Sequence, residues 1–169
     1  MASPYKRYKG PLQAFRIASA KFPLFDGTGA SLGGARWNTK GQRVIYAAES
    51  FAGALLEILV HSNLGRVPKG FASIEIHIPR EVDIEEITLT DLPQWDASDY
   101  AASQSFGSRW YTEMRSAVLV VPSVPGGGMG RNILLNQNHP QFPLLTASAP
   151  RPVKWDRRLF RRRPPHKPL

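Results

Sequence analysis

The order of apolar and polar positions along the chain describes several strands and few helices. Phe71-Ala72-Ser73-Ile74-Glu75-Ile76-His77-Ile78 alternates with period two, the mark of a strand with one face on a core and one in water. Ala14–Ala18 and Arg43–Ala48 read as shorter strands, and Ala117–Val121 is a continuous apolar run closed by Pro122, which suits a strand buried on both faces. Ile84–Leu89, Asn132–Leu135 and Val153–Leu159 complete the extended segments. From Ser50 to about Ser62 the apolar density runs too long for a strand, and Ser50 can cap a helix with its side-chain oxygen. A second helix is predicted over Ser105–Arg115, where Phe106, Trp110 and Met114 fall on one side. Asp26 to Gly34, rich in glycine and small residues, is predicted to be a loop. Strands that do not alternate regularly with helices imply a single compact α+β domain with a mixed or antiparallel sheet, not a doubly wound one.

Composition narrows the chemistry. The chain has 169 residues and no cysteine, which excludes disulfides, thiolate metal sites and cysteine nucleophiles. The N-terminus lacks the apolar core of a signal peptide, and no stretch approaches the ~18 apolar residues of a membrane span, so a soluble cytoplasmic protein is expected. The formal charge of +9 is concentrated at one end: residues 151–169 hold eight Lys and Arg against Asp156, a net +7, leaving the first 150 residues at +2. We therefore divide the chain into a domain over 1–160 and a basic tail over 161–169. Such a tail is a solvated appendage or a grip on an acidic partner or nucleic acid, but the body is not a basic nucleic-acid-binding domain.

Two segments carry candidate chemistry. Between Phe51 and Val60 every residue except Gly53 and Glu57 is apolar, so one carboxylate sits in a helix that is expected to be buried. A buried carboxylate needs a partner or a cleft: Glu57 is either a structural ion pair with an arginine such as Arg16 or Arg36, or a functional group. In Gly33-Gly34-Ala35-Arg36-Trp37-Asn38, glycines are followed by an arginine suited to phosphate, an indole suited to stacking and an amide suited to polar edges. The same segment also reads as a loop anchored by one buried Trp. Gly126-Gly127-Gly128-Met129-Gly130 lacks the spacing of a dinucleotide fingerprint, the four histidines are too scattered for a zinc motif, and Ser123 has no nucleophile elbow around it. No metal is expected, and catalysis must rest on charge placement and positioning.

Together these stretches resemble the RES-domain family, named for an arginine, a glutamate and a serine. The matching segments are Gly33–Asn38, Val44–Ser50, Ala54–His61, Val121-Pro122-Ser123 and Asn132–Pro140. The resemblance implies a fold like that of ADP-ribosyltransferase toxins, NAD as substrate, and a toxin restrained by an antitoxin with an Xre-like DNA-binding portion. It maps the family's arginine, tyrosine, glutamate and serine onto Arg36, Tyr46, Glu57 and Ser123 as catalytic residues, with Arg16 as a second cation. Arg16, Arg36, Trp37, Asn38, Tyr46 and Ser123 are then expected to bind NAD.

Cleavage of the nicotinamide–ribose bond develops positive charge on the ribose, which a carboxylate stabilises. Glu57 would take that role, Arg36 would clamp the pyrophosphate, Tyr46 and Trp37 would stack on nicotinamide, and Ser123 would bond the ribose or amide. Water as acceptor makes the enzyme an NAD glycohydrolase, phosphate makes it a phosphorylase, and a protein side chain makes it a mono-ADP-ribosyltransferase. Transferases usually carry a second acid beside the catalytic glutamate, and only Glu49 is near in sequence, which favours NAD depletion. A basic module that binds nucleic acid is the contrasting reading.

Overall fold

The computed structural model describes residues 4–62 and 66–160; the basic segment 161–169 lies outside the described residues. Among those described, nine strands form one sheet flanked by three α-helices, an α+β architecture as the pattern implies. The strands are β1 (Lys6–Lys9), β2 (Leu12–Ser19), β3 (Val44–Ala48), β4 (Phe71–Ile78), β5 (Asp83–Glu86), β6 (Val118–Pro122), β7 (Arg131–Asn136), β8 (Thr146–Ala147) and β9 (Arg151–Pro152). The helices are α1 (Thr28–Gly33), α2 (Phe51–His61) and α3 (Ala101–Thr112). The sheet order is β1-β5-β6-β7-β3-β2-β4-β8, with β9 also on β4; only β5 and β6 run parallel. None of the described helices is long and apolar enough to cross a membrane.

The period-two alternation makes the sheet a partition between two cores. Ile45, Ala47, Ile133, Leu135, Val118 and Val120 point to one side, where they join Ile74, Ile76 and Ile78 of β4. Val44, Leu134, Leu119 and Val121 point to the other and meet Phe106 and Trp110 of α3 together with Trp37. Trp110 is fully buried, and its indole N–H donates to Ser116 Oγ at 2.9 Å, so the largest core side chain leaves no unpaired donor.

β2 and β3 pair at one position, Phe15 opposite Ala48, whereas β2 follows β4 over eight residue pairs. The two halves of the sheet therefore part beside β3. Beyond the shared rung, Arg16 Nη1 of β2 donates to the Tyr46 carbonyl of β3 at 2.7 Å, a side chain standing where a ladder bond would.

The structure departs from the sequence reading in several places. Asp26–Gly34 is not all loop: Asp26 accepts from the Thr28 amide at 3.2 Å and hydroxyl at 2.9 Å, starting the short α1. The edge strand β1 has the polar sequence Lys-Arg-Tyr-Lys and no alternation to announce it; its Lys6 and Arg7 meet Glu86 and Glu85 of β5. Val153–Leu159 is not a strand; β9 precedes it and a 3-10 turn, Arg157–Phe160, occupies its end. Helix α3 starts at Ala101, earlier than the apolar spacing indicated. Helix α2 has the expected Ser50 cap, its oxygen accepting from Gly53 N at 3.0 Å, but it is not a buried helix. Only Ala54 is fully buried, and Ala52, Leu56 and Val60, at helical spacing, are exposed.

Candidate active site

A cavity of about 570 Å³ opens where the sheet parts, a size suited to a small-molecule ligand. Its walls come from β2, β3, the turn carrying Arg36, the inner face of α2, and the end of β6 with Asn132 of β7. On α2 the inner stripe is Ala54, Glu57, Ile58 and His61, at i, i+3, i+4 and i+7, so helical spacing that packs α2 on Ile17 and Ala48 also turns Glu57 into the cavity.

Glu57 has no ion pair among the described residues, so neither Arg16 nor Arg36 neutralises it. Its Oε1 accepts from Asn132 Nδ2 at 2.7 Å and from Ser123 Oγ at 3.3 Å. It is the only carboxylate among the described residues that line the cavity. Glu49, its acidic neighbour in sequence, is engaged by Arg131 at 2.6 Å, and Arg131 also reaches Glu86.

Arg36 sits at the tip of a tight turn. Gly34 enters it at φ +77°, Ala35 N donates to Asn38 O at 2.9 Å, and Gln104 Nε2 donates to both Ala35 O and Asn38 O. Arg36 Nη1 donates to the carbonyls of Trp95 (3.2 Å) and Ala97 (2.8 Å), and its guanidinium stacks on Tyr100 at 4.2 Å. Gln94 and Tyr100, which flank these carbonyls, have φ of 62° and 63°, a left-handed backbone costing on the order of 1–3 kcal/mol at each non-glycine residue. That strain is concentrated in the bracket that holds Arg36.

Arg16 also lines the cavity. Among the described residues it has no ion pair, and its buried Nε has no hydrogen-bond partner. Desolvation lowers its proton affinity below the ordinary guanidinium value, Asp26 acting in the opposite sense. Two guanidinium groups with no ion pair among the described residues thus line a cavity with a single carboxylate, a site suited to an anion.

The remaining residues are placed differently from their expected roles. The Tyr46 ring lines the cavity, but its hydroxyl donates to Asn38 Oδ1 at 2.7 Å and accepts from Trp37 N at 3.1 Å. Burial raises its pKa far above the ordinary phenol, so it is a neutral pin on the Arg36 turn. Asn38 does not reach the cavity as a polar edge for a nucleotide. It is wholly buried, with its Nδ2 on the carbonyls of Ala30, Thr39 and Gln42, because the turn's own backbone needs those donors. Trp37 contributes to the cavity wall, yet it is 2 % exposed and packs edge-on against Phe106, so the anchoring role dominates. Ser123 is buried behind Glu57 and is not among the lining residues; besides donating to Glu57 it accepts from Gly126 N at 3.2 Å. Asn132 and Tyr100 were given no role by sequence reasoning. Asn132 had a signal, a lone amide opening an apolar strand, whereas Tyr100 had none. Among the described residues no group of His, Asp or Glu is arranged to hold a metal ion.

The RES domain family profile matches residues 13–156. A protein of Sphingobium sp. strain YBL2 named Prs ADP-ribosylating toxin is 40% identical over 140 residues, 80% of this chain and 86% of that protein. A Toxin Res of Photorhabdus laumondii is 35% identical over 128 residues, covering 72% and 80%. The solved Mycobacterium tuberculosis MbcT–MbcA toxin–antitoxin complex contains a chain of the same fold, with a TM-score of 0.71 at 16% identity, covering 91% of this chain and 89% of that one.

Proposed function

This chain belongs to the RES domain family, and from that membership we propose that it is the toxin of a toxin–antitoxin pair, an enzyme that cleaves the nicotinamide–ribose bond of NAD. The observation that carries the reading is the cavity itself: one carboxylate, Glu57, held by neutral donors, and two guanidinium groups, Arg16 and Arg36, that have no ion pair among the described residues. The arginines suit the pyrophosphate of a dinucleotide. Glu57 would then face the ribose at the opposite end.

In the reaction the bond between nicotinamide N1 and ribose C1′ breaks, its electron pair neutralising the pyridinium as nicotinamide leaves. The ribose acquires oxocarbenium character, which the fixed negative charge of Glu57 stabilises. Water adds at C1′ and loses a proton to solvent, giving ADP-ribose. No strong acid is required, because nicotinamide departs from an already cationic state.

Water is the acceptor we favour, since Glu49 is tied to Arg131 and no second described carboxylate lines the cavity to activate a protein nucleophile. The transferase reading has its own support in the relative named Prs ADP-ribosylating toxin. The partner we assign is an antitoxin, a reading supported by the toxin–antitoxin complex of the structural neighbour, and the Xre-like DNA-binding portion we give it rests on the family resemblance alone. The domain assignment, 1–160 with an appended tail, accommodates the matched segment.

The test is to incubate the purified protein with NAD and follow nicotinamide, free ADP-ribose and protein-linked ADP-ribose together. Nicotinamide with equimolar free ADP-ribose supports the glycohydrolase; label on protein supports the transferase. Release of no nicotinamide with either buffer or cell lysate overturns the NAD reading. It leaves the basic tail, whose nucleic-acid binding would fall steeply with salt, as the next object of study.

A further inference from the structure

The two carboxylate oxygens of Glu57 are not equivalent. Oε1 accepts both Asn132 Nδ2 and Ser123 Oγ, while Oε2 has no donor among the described residues. The terminal torsion of a glutamate is broad and soft, so a carboxylate on a surface helix takes its orientation from what grips it. Asn132 is the shorter grip, 2.7 Å against 3.3 Å for Ser123, and has the more rigid base. It lies on β7 between β3 and β6, opposite Ala48 on one side and Val121 on the other. Its chemistry also matters. An amide donates a hydrogen bond without cancelling charge, whereas a lysine or arginine at the same place would neutralise the carboxylate.

Resting on the NAD-cleaving reading, we propose that Asn132 is a positioning residue of this site: by pinning Oε1 it leaves Oε2 as the oxygen that meets the ribose, with the full charge of Glu57 behind it. Ser123 supports the same oxygen from behind, steered by the Gly126 amide, and acts through Glu57 without touching NAD.

The test compares Asn132→Ala and Asn132→Asp with the unaltered protein, measuring nicotinamide release over a range of NAD concentrations and thermal unfolding of each variant. A carboxylate that can rotate lowers kcat roughly 10- to 100-fold, the size expected for losing a hydrogen bond to a charged group, with KM for NAD changed less than about threefold. Asn132→Asp keeps the size, removes the donor and repels Glu57, so its kcat falls at least as far. If either variant does not fold, Asn132→Gln, which keeps the donor but displaces it by one methylene, gives the same split in milder form. An active unaltered protein with unaffected variants overturns the proposal. So does a rise in KM at constant kcat, which would make Asn132 a binding residue. An unaltered protein that releases no nicotinamide overturns the parent reading instead.

Discussion

Replacing Glu57 by glutamine is the most direct probe of the site. The substitution keeps length and volume, and the glutamine oxygen can still accept from Asn132 and Ser123, so the change is confined to one negative charge. Two unit charges about 4 Å apart attract by about 4 kcal/mol at an effective dielectric near 20. The ribose carries only part of a unit charge in the transition state, so about 2–4 kcal/mol is at stake. At a factor of ten per ~1.4 kcal/mol, kcat should fall roughly 30- to 1000-fold. The Ser50 cap and the apolar contacts of α2 with Ile17 and Ala48 are untouched, so the thermal midpoint should not drop, and NAD affinity, which the proposed reading assigns to Arg16 and Arg36, should change little. The assay is chromatographic measurement of nicotinamide at saturating NAD, with calorimetric titration of NAD into the variant. A kcat within threefold of the unaltered protein would refute the electrostatic role; lost activity with lost folding would refute the claim that Glu57 is not structural.

Three further outcomes follow from contacts away from the reacting end. Tyr46→Phe removes the hydroxyl that joins Trp37 N to Asn38 Oδ1 and should destabilise the protein by about 1–3 kcal/mol in urea unfolding, with activity falling as the Arg36 turn loosens. Gly107→Ala places a Cβ onto the Trp37 carbonyl, a backbone atom that cannot step aside; it should lose about 1–3 kcal/mol or more, read as a lowered thermal midpoint. Asp26 has its pKa lowered from 3.8, first by the Arg43 hydrogen bond, so its contribution is present above that pH and is lost as acid protonates the folded carboxylate. Asp26→Asn should therefore be less stable than the unaltered protein at pH 7, and the difference should shrink below pH 4.

Legibility in the sequence followed the strength of local pattern. β4 has the expected bounds because its alternation is unbroken, and the start of α2 because Ser50 offers one clear cap. β1 was hidden because it is held by its backbone ladder and ion pairs with β5, nearly eighty residues away, and its sequence has no apolar period. Glu57 stood out as a charge among apolar neighbours, but the inference that α2 is buried failed: its outer stripe of Ala52, Leu56 and Val60 meets solvent, and the helix covers only one side. Asn38 misled for a related reason. A polar residue after a glycine-rich turn can serve a ligand or the turn itself, and only the count of unpaired backbone carbonyls around it decides. The grip of Asn132 on Glu57 joins residues 75 positions apart, beyond the reach of any local spacing.

The single rung between β2 and β3 has a mechanical consequence. One half of the sheet carries Arg16; the other carries Tyr46, Asn132 and the turn that presents Arg36, while α2 straddles the join through Ile17 and Ala48. The two halves thus share a single ladder rung, Phe15–Ala48, above a common core, and α2 carries Glu57 across the join. A ligand gripped by Arg16 and Arg36 at once acts as a staple, stiffening the joint in the act of binding. Amide exchange along the facing edges of β2 and β3 should slow when the cavity is filled.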